Sequence, residues 1–327
     1  MSELKAAVIG AGKLGCLHAE KYAQTEGVKL AFVVDIDIER ARMVASRYGA
    51  QALADYHEVL GKVDVATVAT PSSSHYEIAA QMLCAGVHVL LEKPMAANAM
   101  QARKLVEIAA QTNKVLQVGY LERFNPAVRY LRELLHSPRF VESHRLSPFT
   151  ERGTDVDVVL DLMSHDLDLI LSISQAEVLR VEALGVAVLT DLVDVANARI
   201  SFANGLVANL NASRVAARRE RKIRFFQADA YISTNYETRT IQVYRKQPSP
   251  SGSLPTITTE RIELDDGDPL GEEVSHFVQS VRCGTPPAVS ARDGLRVVEL
   301  CELITNSIEA ASQAFATSKA QAEPRRQ

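Results

Sequence analysis

Cysteine is scarce in this chain, with four in 327 residues. Cys16, Cys84, Cys283 and Cys301 share no short paired spacing. Neither a zinc cluster nor a disulfide framework is expected from such a pattern, and no metal site is assigned. An excess of charge of one sign is also missing. Lys and Arg number 36 against 40 Asp and Glu, a formal net charge of -4. No global attraction to nucleic acid or to an anionic membrane follows from that balance. The apolar stretch after Met1-Ser2-Glu3-Leu4-Lys5 is short and broken by glycines, too short for a signal sequence or a membrane span. The expectation is a cytoplasmic protein with no nucleic-acid and no membrane partner.

What is present is ordinary globular composition, 47% hydrophobic and 23% charged, at a length that favours two domains over one. Short apolar runs at Ala6–Ile9, Lys29–Val34, Val63–Thr70, Val87–Leu91 and Val115–Gly119 read as strands. Helical spacing fills Glu39–Tyr48, Tyr76–Ala85 and Met100–Thr112, with stop signals at Gly49, Gly86 and Asn113. Alternation of this kind predicts a parallel sheet with crossover helices. After Tyr120 the pattern changes. A helix is expected over Pro126–Leu135, a strand over Phe140–Phe149 and a strongly apolar helix over Val158–Ser174. Strands then follow at Leu179–Leu189, Val195–Phe202, Leu206–Arg214, Lys222–Thr234 and Thr238–Tyr244, with Asn204-Gly205 as a hairpin turn in which both central residues take positive φ. The fold class is thus an α/β Rossmann domain over residues 1–121, followed by an α+β domain with a large, mostly antiparallel sheet over 122–327. Gln247–Ser253 reads as a loop and Ser318–Gln327 as a frayed end.

Gly10-Ala11-Gly12-Lys13-Leu14-Gly15 follows the first strand and opens a helix. A dinucleotide turn needs glycine where the chain reverses, where backbone meets pyrophosphate, and where helix packs on strand; Gly10, Gly12 and Gly15 hold those spacings. The helix opening at Lys13 points free N–H groups at phosphate. Asp35 closes the second strand, where an acid accepts ribose hydroxyls and repels a 2'-phosphate, so NAD is favoured over NADP. Asp37 is expected to cap the next helix.

The apolar helix Val158–Ser174 carries Asp161, Ser164, His165 and Asp168 at i, i+3, i+4 and i+7, one polar stripe. Buried charge is costly, so these groups either satisfy one another or line a pocket. Oxidation of an alcohol requires a group that takes the hydroxyl proton, and His165 is the best-placed candidate. His75, just after Thr70-Pro71 at a strand end, is placed to approach a cofactor.

Together with Ala69-Thr70-Pro71, His75, Glu92-Lys93-Pro94 and the Asp161/His165 pair, the glycine turn makes the chain resemble the Gfo/Idh/MocA oxidoreductases. That resemblance covers nearly the whole chain. It implies that Gly10, Gly12, Lys13, Leu14, Gly15, Asp35, Thr70, Pro71, His75, Glu92 and Lys93 serve NAD, and that Lys93, His165 and Asp161 serve catalysis. Lys93 would hydrogen-bond the reacting hydroxyl, stabilise an alkoxide or act as base. The segments Gly119–Pro126 and Val158–Met163 look like the nucleotide-sugar branch of the family. This implies oxidation of the 3-hydroxyl of UDP-N-acetylglucosamine or a related UDP-sugar. Tyr120, Arg123, Asn125, Arg145 and Arg152 are the substrate candidates, since guanidinium groups pair with diphosphate or carboxylate. Each arginine has the alternative of a solvated surface or an internal ion pair. A free polyol or sugar as substrate and a non-catalytic NAD sensor stay open. The family also implies a homodimer or homotetramer.

Overall fold

The computed structural model describes residues 3–150, 155–248 and 254–322. Packing divides the chain into two units, one formed by Met1–Asn125 with Gly267–Val298 and the other by Pro126–Asp266 with Glu299–Gln327. A single boundary after residue 121 would have put 267–298 with the second unit; it packs with the first.

The first unit begins with β1 (Leu4–Ile9), α1 (Lys13–Gln24), β2 (Val28–Val34), α2 (Ile38–Tyr48) and β3 (Gln51–Leu53). It continues through β4 (Val65–Val68), α3 (Ser72–Cys84), β5 (His88–Glu92), α4 (Ala99–Thr112) and β6 (Leu116–Gly119). All six strands are parallel, in the order β3-β2-β1-β4-β5-β6. Their centres, Val8, Val33, Val65, Val89 and Val118, are fully buried. That is why these strands read as continuous apolar runs instead of alternating ones. The Asp37 carboxylate accepts the N–H groups of Glu39 and Arg40 and so starts α2. Gly49 and Asn113 end α2 and α4 in the left-handed conformation. The sheet order reverses between β1 and β4, the switch point where ligands settle in such sheets.

The second unit holds α5 (Pro126–Leu134), β7 (Phe140–Leu146), a π-helical turn (Val159–Met163) and α6 (Ser164–Ser174). Seven strands follow: β8 (Val178–Val186), β9 (Val195–Phe202), β10 (Val207–Ser213), β11 (Glu220–Phe226), β12 (Ala230–Asn235), β13 (Thr240–Lys246) and β14 (Ile257–Glu263). They join β7 in one sheet, ordered β14-β13-β12-β11-β7-β10-β9-β8. Every pairing is antiparallel except β7 with β10. Three expectations are corrected here. Lys222–Thr234 is two strands, because the chain reverses after Phe226, where the Gln227 N–H donates to the Ala230 carbonyl. The Asn204-Gly205 hairpin exists, but only Gly205 has positive φ, 84°. Its N–H donates to the Phe202 carbonyl, which makes the loop a type I turn closed by a left-handed glycine. The expected single helix Val158–Ser174 begins as a π-turn. The expected loop extends beyond the described residues at 249–253.

Two more helices, α7 (Pro269–Cys283) and α8 (Ala291–Ala322), complete the chain. Helical structure thus reaches Ala322 within the end expected to fray; 323–327 lie outside the described residues. Asp268 caps α7 by accepting the Gly271 N–H. Val274, Phe277 and Val278 of α7 pack with Ala19, Tyr22, Val28 and Leu30 of the first unit.

Candidate functional site

The glycine turn behaves as its three spacings demand. Gly10 has φ of 94°, and a side chain there would stand 2.5 Å from the Ala69 carbonyl oxygen. A Cβ at Gly15 would lie 1.7 Å from the Gly10 carbonyl oxygen, so strand and helix meet there with no room for a methyl group. Gly12 has open space, with no heavy atom within 4 Å of a built Cβ. It also precedes α1 without any side-chain cap. The first-turn N–H groups around Lys13 and Leu14 therefore keep their donors for an anion. Asp35 at the end of β2 is buried; its Oδ2 accepts the Ala11 N–H at 2.7 Å and its Oδ1 the Asp37 N–H at 2.9 Å. One acid thus ties the glycine turn to the second strand, with Arg40 3.7 Å away.

Thr70 and Pro71 lead from β4 into α3, and the Ser74 hydroxyl donates to the Thr70 hydroxyl at 2.8 Å. His75 is buried, with Nδ1 at 2.7 Å from the Pro94 carbonyl and Nε2 at 2.9 Å from the Thr70 carbonyl. Burial pushes its pKa down, although both carbonyls favour the charged ring. This ring braces two loop segments; it does not project from them. Glu92 also turns inward, with Oε1 2.8 Å from His18 Nε2 and Oε2 accepting the Lys93 N–H at 3.3 Å. Lys93, at the carboxyl end of β5, is half-buried, and its peptide bond to Pro94 is cis.

Among the substrate candidates of this unit, Tyr120 is fully buried, Arg123 is half-buried, and Asn125 donates to Glu122 Oε2 at 3.2 Å.

In the second unit the expected stripe divides between surface and interior. Asp161 and His165 stay partly exposed, whereas Ser164 and Asp168 are fully buried. The π-turn shifts the phase of Asp161 against α6 by about 100°, while within α6 the adjacent Ser164 and His165 already differ by one step of about 100°; such turns recur at functional sites. The turn is anchored by Asp157, which accepts the Leu160 N–H at 2.8 Å and the Thr305 hydroxyl at 3.2 Å. Arg145 takes the internal alternative. Its Nε and Nη2 donate to the two oxygens of Asp166 at 3.1 and 2.9 Å, with both side chains 3% exposed. Arg152 lies outside the described residues.

Two groupings escaped the sequence. Asp194 accepts the N–H groups of Val188, Leu189 and Thr190 and the Nε of Arg214. After the cost of burial, these four donors hold its carboxyl well below the usual range. Arg214 also donates to the Val156 carbonyl, just before the π-turn. In the first unit, Glu273 of α7 is buried on the same face as Val274 and Phe277. A glutamate on an apolar helix face was the available signal.

Residues 4–120 match the model of the oxidoreductase family with the NAD-binding Rossmann fold, and residues 129–233 that of the GFO/IDH/MocA C-terminal domain. The chain belongs to the Gfo/Idh/MocA oxidoreductase family. It is a dehydrogenase-class protein built to hold NAD, and the open Gly12, the uncapped α1 and Asp35 fit that cofactor. A UDP-N-acetylglucosamine 3-dehydrogenase of Acidithiobacillus ferrooxidans is 36% identical over 95% of this chain and 99% of its own. Its solved structure superposes with a TM-score of 0.88 over the same shares. A myo-inositol 2-dehydrogenase of Thermotoga maritima is 26% identical over 94% of this chain and 96% of its own. A levoglucosan dehydrogenase solved with NADH shares the fold, with a TM-score of 0.83 at 21% identity over 94% of this chain and 97% of that one. No helix among the described residues is long and apolar enough to cross a membrane.

Proposed function

We propose that this chain oxidises the 3-hydroxyl of UDP-N-acetylglucosamine, or of a related UDP-sugar, to a ketone. The observation that carries the reading is the end-to-end likeness to the Acidithiobacillus enzyme, 36% identical across 95% of the chain. NAD, when bound, supplies the acceptor for the hydride that leaves the sugar carbon. Gly10, Gly12, Lys13, Leu14 and Gly15 take its pyrophosphate along the uncapped start of α1, and Asp35 takes ribose hydroxyls. Thr70 and Pro71 border the same cofactor.

As the C–H bond breaks, the hydroxyl must give up its proton. His165 accepts it, Asp161 orients the imidazole or the sugar, and Lys93 stabilises charge developing on the oxygen. Arg123 is our candidate partner for the diphosphate. The protein acts in the cytoplasm as a homodimer or homotetramer. Supporting assembly, Phe140, Phe226, Tyr231 and Tyr244 form a half-exposed ladder across β7, β11, β12 and β13, with ring centroids 5.4, 4.9 and 5.2 Å apart.

The test follows reduced-cofactor absorbance with NAD and either UDP-N-acetylglucosamine or free sugars and inositols. Turnover with the UDP-sugar, cut about a hundredfold or more in both K93A and H165A, is expected for lost proton handling. Preference for free inositol would favour the Thermotoga-like reading, and variants as fast as the parent would remove Lys93 and His165 from the chemistry.

A further inference from the structure

The interior of the Rossmann unit holds a polar cluster that neither the glycine turn nor the sheet requires. His18 and Tyr22 lie one turn apart on α1, Glu92 ends β5, and Glu273 comes from α7; His18 and Glu273 are fully buried. His18 Nε2 meets Glu92 Oε1 at 2.8 Å. The Tyr22 hydroxyl accepts from Thr67 at 2.9 Å. Both oxygens of Glu273 lack a hydrogen-bond partner among the described residues. One ligating atom from each of His18, Glu92 and Glu273 falls within 4.8 Å of the others.

Three such groups suggest either a cation or a shared proton. A transition-metal ion would need bonds of about 2.0–2.2 Å to nitrogen and carboxylate oxygen, whereas His18 and Glu92 already satisfy each other in a direct hydrogen bond. Burial and the neighbouring Glu92 charge push Glu273 well above the usual carboxylate range. Glu92 goes the other way. Burial raises its pKa, but the hydrogen bond and charge of His18, with Lys93 and His75 adding to them, outweigh it. The two carboxyls are thus pushed in opposite directions, Glu92 toward the charged form and Glu273 toward the neutral one.

The charged member is the one that touches the proposed reaction machinery. Its Oε2 accepts the Lys93 N–H and fills the space beside Gly119, where a Cβ would lie 3.1 Å from it. We propose that Glu92 is a positioning residue: clasped by His18 and seated against Gly119, its carboxylate fixes the backbone at Lys93 and sets the electrostatic environment of the Lys93 amine. This assigns Glu92 to the lysine and not to cofactor contact, and it rests on the reading of Lys93 as a residue of the reaction. Groups facing Glu92 come from α1 (His18), α3 (His75), α7 (Glu273) and the adjoining Lys93.

E92Q keeps the shape and an acceptor oxygen while removing the charge. It should lower kcat tenfold or more with KM for NAD within threefold and a thermal midpoint within a few degrees of the parent. A purely structural Glu92 would instead lower the midpoint and raise KM. G119A displaces the carboxylate without altering any charge and should reproduce part of the kcat loss. A second readout needs no turnover: the rate at which an acylating reagent labels Lys93 in the NAD-free full chain, read by peptide mass spectrometry. E92Q should change the labelling rate at least threefold, because the carboxylate oxygen that accepts the Lys93 N–H and holds that backbone is altered. Labelling and kcat both unchanged in E92Q would overturn the inference, as would about one equivalent of bound metal per purified chain. If the parent turns over no sugar yet labelling responds to E92Q, the substrate reading fails and the positioning role stands.

Discussion

Gly12 and Gly15 show how two identical residues three positions apart carry different burdens. At Gly15 a methyl group would meet backbone oxygen at 1.7 Å, while at Gly12 it would meet nothing within 4 Å. G15A should therefore cost about 3 kcal/mol or more of stability, the upper end of overpacking costs. G12A should cost less than about 1 kcal/mol but weaken NAD binding tenfold or more, because the methyl stands where pyrophosphate approaches. Thermal unfolding and calorimetric titration with NAD separate the two effects. A G12A protein that binds NAD normally would remove Gly12 from the phosphate site. Residue type and spacing made this turn legible, as they did the Asp37 cap. They could not show that Glu92 and His75 turn inward, since a side chain's direction depends on partners such as His18 and the Pro94 carbonyl that lie far along the chain.

Among the elements, the least legible was the π-turn before α6. Periodicity locates an apolar helix but registers neither the extra residue that rephases Asp161 nor which edge of a broad i, i+3, i+4, i+7 stripe is covered by packing, so Asp161, Ser164, His165 and Asp168 read as one stripe when only two of them reach the surface. β3 was missed because three residues carry no period, and the reversal after Phe226 because Gln227-Ala228-Asp229 lacks glycine and proline. By contrast, the other parallel strands were visible since burial on both faces makes their apolar runs continuous. The Arg145–Asp166 pair ties β7 to α6 and has its own signature. Removing one partner, as in R145M, should cost about 3–5 kcal/mol by stranding a buried carboxylate, whereas R145M/D166L should recover most of that loss. Urea unfolding of the two variants measures it; equal losses would mean that packing, not charge, holds the joint.

At the scale of the whole molecule, the aromatic ladder of the eight-stranded sheet bears on assembly. If this face joins copies of the chain, light scattering should give two or four times the 35.7 kDa chain mass. The double variant F226E/Y231E should then move the protein toward one chain mass while leaving the fold intact. Unaltered mass in that variant would place the contact elsewhere. The composition of the first unit has a different consequence, one of timing. Its core takes Val274, Phe277 and Val278 from α7, yet some 140 residues separate α7 from the end of the preceding segment at Asn125. At about 5–20 residues per second of synthesis, the nascent nucleotide-binding half waits roughly 7–28 s with Tyr22 and Leu30 uncovered. Its maturation is therefore tied to synthesis of the chain through α7, and ribosome-bound chains stalled before Pro269 would expose an apolar surface for chaperones to hold.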